Sequence, residues 1–284
     1  MKIIIPTEPQ NIPNVIKTGL LIWKHILNKT IPFSLIFITL NSILVAVLGD
    51  KINNYSLDQF SLNLLFSKSN LLLGSMIIIY AIVFATTNAG MIYIVNKTIH
   101  NESVLFNQAV AKGFKKAFSQ LLIFILYLMI ATIGPCLLFI LLLSIPKIIT
   151  TFASKSIIYL CCILFFTPGM IILVYFMFAM YLAIIEEHSV INSIKNSFKL
   201  VSGNWWHTLG AFLTINSISS VCSLLLNKFS AKVVTIIMST EHNLCINFFL
   251  KNSLSTIFIT PLTYAFIMAM LYNLQAKKRC TLEL

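Results

Sequence analysis

The sequence predicts an all-α polytopic membrane protein with six transmembrane helices arranged as three parallel repeats. Hydrophobic residues make up 58% of the chain and charged residues 10%, whereas a soluble domain is nearer half apolar and a quarter charged. The apolar residues occur in long uncharged blocks without strand-like alternation. In addition, the pattern TLNSI at residues 39–43 returns as TINSI at residues 214–218, which suggests an internal repeat.

Six uncharged blocks are long enough for membrane spans, because crossing about 30 Å of hydrocarbon takes about 20 helical residues. The predicted spans are residues 30–49, 71–95, 121–145, 157–185, 206–226 and 254–273. The fourth block exceeds one crossing, so we expect it to tilt, kink or protrude. Together the spans predict a single membrane domain over residues 1–284.

A basic segment with helical periodicity precedes the first, third and fifth spans. Apolar residues recur at i, i+3 or i+4 and i+7 or i+8, with lysines opposite, which is typical of a helix in the membrane interface. The apolar faces are Val15, Ile16, Leu20, Trp23, Ile26 and Leu27; then Phe106, Val110, Phe114, Phe118 and Leu121; then Val190, Ile191, Ile194, Phe198 and Val201. We predict three amphipathic interfacial helices facing lipid, the second carrying Lys112, Lys115 and Lys116.

The three basic helices share a small residue that lies three positions after an apolar residue and just before a large one. The small residues are Gly19, Gly113 and Ser197. A small side chain lets another helix backbone approach closely. Two spans follow each basic helix, which predicts pseudo-repeat units at 14–95, 103–185 and 189–273. Because each unit crosses twice, successive units share one orientation and form parallel repeats.

The charge distribution predicts the topology. Of the twenty lysine and arginine residues, thirteen fall in segments 1–29, 96–120, 186–205 and 274–284, and seven fall in the opposite loops. Positive residues collect on the cytoplasmic side, so both termini are expected there. The net charge of +12 comes almost entirely from lysines that are scattered between the spans. We therefore expect anionic lipid headgroups as partners and no nucleic acid.

The stretch from residue 175 to 215, YFMFAMYLAIIEEHSVINSIKNSFKLVSGNWWHTLGAFLTI, resembles a signature of YciC-like bacterial inner-membrane proteins. It is similar also to the membrane domain of some glycerophosphodiester phosphodiesterases. The matching positions are Glu186 or Glu187, Ser197, Phe198, Leu200, Gly203, Trp205 and Trp206. An alanine usual in that helix is Ser193 here. The resemblance implies a six-span protein of the bacterial inner membrane without an established activity.

The matched residues have structural explanations. Gly203 can end a helix in the left-handed conformation, and Trp205 and Trp206 suit the headgroup boundary. Glu186 and Glu187 precede a helix N-terminus, which favours negative charge. A proton or metal site formed with His188 is the alternative, but adjacent helical residues point about 100° apart. We expect neither a metal site nor a cofactor.

Catalytic signatures are missing from the sequence. It contains no zinc-protease motif, nucleophile elbow or phosphate-binding loop. Apart from His207 at an edge, the six predicted spans lack ionisable Asp, Glu, Lys, Arg and His, which proton-coupled carriers usually place inside. We therefore expect a non-enzyme. Of the six cysteines, Cys222 and Cys245 are the pair that an outer-side disulfide could join.

Two functions follow as expectations. The first is a non-enzymatic inner-membrane protein that organises the membrane or assists a membrane-protein partner. The alternative is a small-solute permease, because prolines interrupt the third, fourth and sixth spans and asparagines occur within spans. The residues of this polar path and its kinks would be Asn41, Asn88, Asn216, Pro135, Pro168 and Pro261.

Overall fold

The computed structural model describes residues 8–52, 68–144, 169, 171–237 and 244–282. In these residues the ordered elements are helices, and none is a strand. The helices with assigned bounds in this part of the chain are α1 (Ile12–Ile52), α2 (Lys68–Ile99), α3 (Phe106–Ser144), α4 (Ala179–Ile185), α5 (Val190–Val201), α6 (Trp205–Ile237) and α7 (Leu244–Leu282). The predicted all-α class is confirmed.

Four helices within the described residues are long and apolar enough to cross a membrane, which indicates a membrane-embedded protein. They are Ile12–Val45, Gly74–Ile99, Trp205–Lys232 and Asn252–Cys280, and they overlap the predicted first, second, fifth and sixth spans. Most of the third predicted span lies in α3. In the fourth, residues 157–168 and 170 lie outside the described ranges, and its second half is the shorter apolar helical segment Ile171–Ile185, which ends in α4.

Helices α1 and α3 each join a basic segment and the following apolar segment into one continuous helix, which corrects the predicted separation. They are 41 and 39 residues long, or about 60 Å at 1.5 Å per residue. Pro32 is accommodated inside α1. A break does occur between α5 and α6, where Gly203 has a φ of 82°. Glycine accepts this conformation because it has no Cβ.

The chain divides into two compact units. The first comprises Met1–Phe118 and Ala211–Leu284. In it, α1 packs along both α7 and α2, and α7 also contacts α2. The side chains of Ile26, Phe33 and Phe266 are completely buried there. Cys222 of α6 carries a free thiol, so it forms no disulfide in this structure.

The second unit comprises Ser119–Gly210, where α4 packs against α5. Ile123 of α3 and Ala179 and Ala183 of α4 form a buried cluster, against which Val190 and Ile194 of α5 pack. These contacts bury one side of the α5 segment through small and aliphatic residues.

The basic segment of α1 buries much of its apolar face instead of presenting it to lipid. Val15 and Ile26 are 1% and 0% exposed, whereas Leu20 is 45% exposed. The Trp23 indole N–H donates to the backbone oxygen of Phe258 in α7 at 3.0 Å. The prediction that all three basic helices face lipid is therefore wrong for α1, because periodicity identifies an apolar face without revealing that α7 covers it.

Candidate functional site

The first small residue, Gly19, lies against Phe266 of α7. A Cβ at Gly19 would overlap the Phe266 ring and lie 3.2 Å from its Cα. Just before α1 begins, the Gln10 backbone N–H donates to Asn273 Oδ1 of α7 at 2.6 Å. As the residue number increases from Gln10 to Gly19, the number of the contacting residue decreases from Asn273 to Phe266. The two segments are therefore antiparallel where they touch.

The second small residue, Gly113 of α3, packs directly on the backbone of α2. A Cβ at Gly113 would overlap the Thr86 carbonyl oxygen and lie 3.1 Å from the Gly90 nitrogen. Gly90 is itself covered by Phe33 of α1, whose Cε1 would lie 2.6 Å from a Cβ there. Phe33 and Ala109 belong to one buried cluster. Glycines on both helices thus allow this close approach.

The third small residue, Ser197 of α5, is completely buried. Its hydroxyl donates to the Tyr175 backbone oxygen at 2.6 Å and accepts from the Phe178 N–H at 3.2 Å. Thus all three small residues hold a lysine-bearing segment against an apolar helical segment.

The lysines near Gly113 lie on other sides of α3. Lys115 is exposed, and Lys112 and Lys116 are half-buried. At the end of α2, Lys97 Nζ and Glu102 Oε2 form an ion pair of 2.7 Å. No acidic residue occurs between Glu102 and Glu186 in the sequence, so α3 presents cations without an acid on the same helix.

Two turns that precede basic segments contain a residue with left-handed backbone. Asn101 has a φ of 59° two residues after α2 ends, and Glu187 has a φ of 55° two residues after α4 ends. Glu186 Oε2 pairs with His188 Nε2 at 3.0 Å. Within the described residues, no group of three His, Cys, Asp or Glu side chains is placed to hold a metal ion. Glu186 and His188 contact each other within this turn.

The tryptophans after Gly203 begin α6. Trp206 is 79% exposed, while Trp205 is half-buried. Their rings meet edge-on with centroids 4.7 Å apart. An exposed indole at a helix start suits the headgroup region, where its apolar ring and N–H both find partners.

A polar seam joins α2 to α7. The Tyr264 hydroxyl donates to Asn88 Oδ1, and the Tyr272 hydroxyl donates to Asn96 Oδ1 at 2.5 Å. Both bonds join residues 176 positions apart. Because the contacts advance by eight residues along both helices, α2 and α7 run parallel where they touch.

The other asparagines of the predicted polar path are also hydrogen-bonded. Asn41 accepts from the Tyr80 hydroxyl at 2.8 Å, and its amide donates to the Phe37 backbone oxygen. The Asn216 amide likewise donates four residues back, to Phe212. The structure therefore connects Asn41 and Asn88 to tyrosines on neighbouring helices and leaves Asn216 bonded within α6.

The predicted kink residues have different settings. Pro261 lies buried inside α7, close in sequence to the seam residue Tyr264. Pro135 lies within the helical bounds of α3. Pro168 falls outside the described residues.

A family model described as a domain of unknown function, DUF7847, matches residues 37–273. The chain belongs to the DUF7847 family. No curated protein and no solved structure matches it. In this DUF7847 chain, the matched region includes Gly113 and Ser197, whereas Gly19 precedes it.

Sequence reasoning missed the tyrosines that complete the seam of this DUF7847 chain. Their signal is present in the spacing, because Asn88 and Asn96 are eight residues apart, as are Tyr264 and Tyr272. Eight residues are slightly more than two helical turns, so each pair lies near one side of its helix. Which asparagine meets which tyrosine depends on tertiary packing.

Proposed function

We propose that this chain is a non-enzymatic multi-pass protein of the bacterial inner membrane that organises the membrane or assists a membrane-protein partner. Anionic headgroups of the cytoplasmic leaflet are its lipid partners in this proposal. The observation that carries it is the packing of Gly113 on Thr86 and Gly90, which fixes a lysine-bearing segment beside an apolar helix and leaves Lys115 exposed.

The position of these lysines supports a role at the lipid surface. A lysine beside a spanning helix can extend its aliphatic stem along apolar surface while the ammonium reaches the headgroups. Anionic lipids attract such a cation by about 1 kcal/mol per residue. Because α3 is packed against α2, its lysines are held in fixed places, which favours lasting lipid contacts near Gly113.

The hydrogen bonds between tyrosines and asparagines of neighbouring helices also support a role without transport. Asn41 and Asn88 both accept from tyrosine hydroxyls, so these amides meet neighbouring helices. Polar groups within a membrane need internal partners, because hydrocarbon supplies none. Tyrosine–asparagine bonds of this kind stabilise helix association.

We also propose the finer architecture of six spans in three parallel repeats, with both termini cytoplasmic. The spacings support it: Thr39 and Thr214 in the repeated pattern are 175 residues apart, and the two seam bonds span 176 residues each. The paired left-handed turns at Asn101 and Glu187 add support. Kinship with YciC-like proteins remains part of this proposal and rests on the residues from 175 to 215.

Charge reversal on α3 tests the proposed role. We expect the variant Lys112→Glu, Lys115→Glu, Lys116→Glu to increase uptake of a membrane-impermeant dye by cells of the native host, because anionic lipids would be repelled. The control reverses three lysines of the predicted opposite side, Lys228, Lys232 and Lys251. Equal dye uptake and equal co-purifying proteins in both variants and the wild type would count against the proposal, provided that all three accumulate in the membrane.

The permease is the second candidate, and the burial of Pro261 in α7 beside the seam favours it. A proline inside a helix removes one backbone hydrogen bond and allows local bending. Vesicles that contain the purified protein and pass a small solute would favour this function over the first. Unchanged flux in a Pro261→Ala variant would show that bending at this residue is not needed.

A further inference from the structure

A phenylalanine and a lysine follow the buried small residue in two of the three basic segments. Gly113 is followed by Phe114 and Lys115, and Ser197 by Phe198 and Lys199. The small residue faces its partner helix in both places. Successive helical residues turn by about 100°, so the phenylalanine points sideways and the lysine points almost directly away from the packed face.

Exposure agrees with this geometry. Phe114 is 70% exposed and Phe198 is 48% exposed, and both lysines are exposed as well. Phe198 keeps one side of its ring stacked on Tyr175, with centroids 4.1 Å apart. Each site therefore combines an exposed aromatic ring with an exposed ammonium on one turn of helix.

We propose that Phe114–Lys115 and Phe198–Lys199 are two separate binding sites for an anionic phospholipid. At each site the lysine ammonium binds the lipid phosphate, and the phenylalanine ring packs against the glycerol and the first acyl carbons. The inference rests on the proposed function only for the leaflet in which the sites lie.

Charge complementarity selects the phospholipid as the occupant. The sequence has no acid between Glu102 and Glu186, so no carboxylate on α3 can neutralise Lys115. An aromatic ring and a lysine at the interface complement the two halves of a lipid, since the ring prefers the apolar boundary and the ammonium prefers the phosphate. A soluble anion would gain nothing from the ring.

The first basic segment is an internal comparison. Gly19 packs on Phe266 as the other small residues pack on their partners, and Leu20 and Leu21 follow it with exposures of 45% and 39%. The outward position is thus a leucine in α1 and a lysine in α3 and α5. The geometry is repeated but both the aromatic ring and the cation are missing, so α1 should lack this site.

Native mass spectrometry of the full chain, purified in detergent with added phosphatidylglycerol or phosphatidylcholine, tests the inference. We expect the wild type to retain two phosphatidylglycerol molecules in preference to phosphatidylcholine. Lys115→Gln and Lys199→Gln should each weaken one site by about fivefold, the effect of removing one lysine near an anionic lipid. The variant with both changes should lose the preference, and the double variant Leu20→Phe, Leu21→Lys should add a third bound lipid.

The control is the variant Lys17→Gln, Lys24→Gln, which removes the same charge from α1 and should keep both lipids. All variants must have the same helix content as the wild type, measured by circular dichroism. Retention of phosphatidylglycerol by the Lys115→Gln, Lys199→Gln variant would overturn the inference, as would loss in the control alone. Loss of a co-purifying protein without loss of lipid would assign the pair to a protein partner and also overturn it.

These outcomes are independent of the dye-uptake test in cells. If the lysine variants lose bound lipid but dye uptake does not change, the two lipid sites are supported and the proposed role in membrane organisation is not. Unchanged lipid binding would remove the two sites whatever the cells show.

Discussion

Gly113→Ala is expected to destabilise the protein by about 1–3 kcal/mol, the usual cost of overpacking a tight contact. The new methyl group would overlap the Thr86 carbonyl oxygen. This obstacle is backbone and cannot rotate aside, so α3 must move away from α2. Thermal unfolding of the purified chain in detergent, followed by circular dichroism, measures the loss.

Gly74→Ala is the matched control, because Gly74 also lies inside a helix but a Cβ there meets no atom within 4 Å. Alanine is favoured over glycine in a helix interior by about 1 kcal/mol, so this variant should melt at or above the wild-type temperature. If both variants melt at the same temperature, the close approach of α3 to α2 is not a feature of the folded protein.

Breaking the bond between Asn88 and Tyr264 is expected to have the second largest effect. Interhelical hydrogen bonds in membrane proteins contribute about 0.6 kcal/mol on average and up to about 1.7, and the upper end is expected here because the bond lies within the α2–α7 contact. A double-mutant cycle of Asn88→Ala and Tyr264→Phe, measured by thermal unfolding in detergent, isolates the pair.

Asn216→Ala provides the comparison for this cycle. The Asn216 amide donates to Phe212 in its own helix, so its removal should cost less than removal of Asn88. Strictly additive effects of Asn88→Ala and Tyr264→Phe would show that the two side chains do not interact in the folded protein.

Several features of the fold were readable from the sequence because they depend on local composition. Long uncharged blocks predicted helices that match four described segments, since hydrocarbon tolerates little else. The positions of Gly19, Gly113 and Ser197 predicted close approach, since only small side chains permit it. The helix end at Gly203 was predictable because glycine readily adopts the left-handed conformation, and the φ of Gly203 is 82°.

Other features depended on which helices become neighbours. The sequence indicated an apolar face around Val15 and Ile26 but gave no means of knowing that α7 would bury it. The continuity of α3 through its basic segment was also missed, because a basic amphipathic pattern fits either an interfacial helix or the end of a longer one. The asparagine partners could not be assigned for the same reason.

Composition and periodicity by themselves determined that this protein is helical and membrane-embedded, and they identified the small residues on its basic segments. Tertiary structure alone decided that Gly113 meets Thr86 and Gly90, that Asn88 meets Tyr264, and which basic segments keep an exposed face. The reason is physical: solvation by lipid or water acts on each residue through its own chemistry, whereas a contact requires two distant residues to be brought together by the packing of the whole unit.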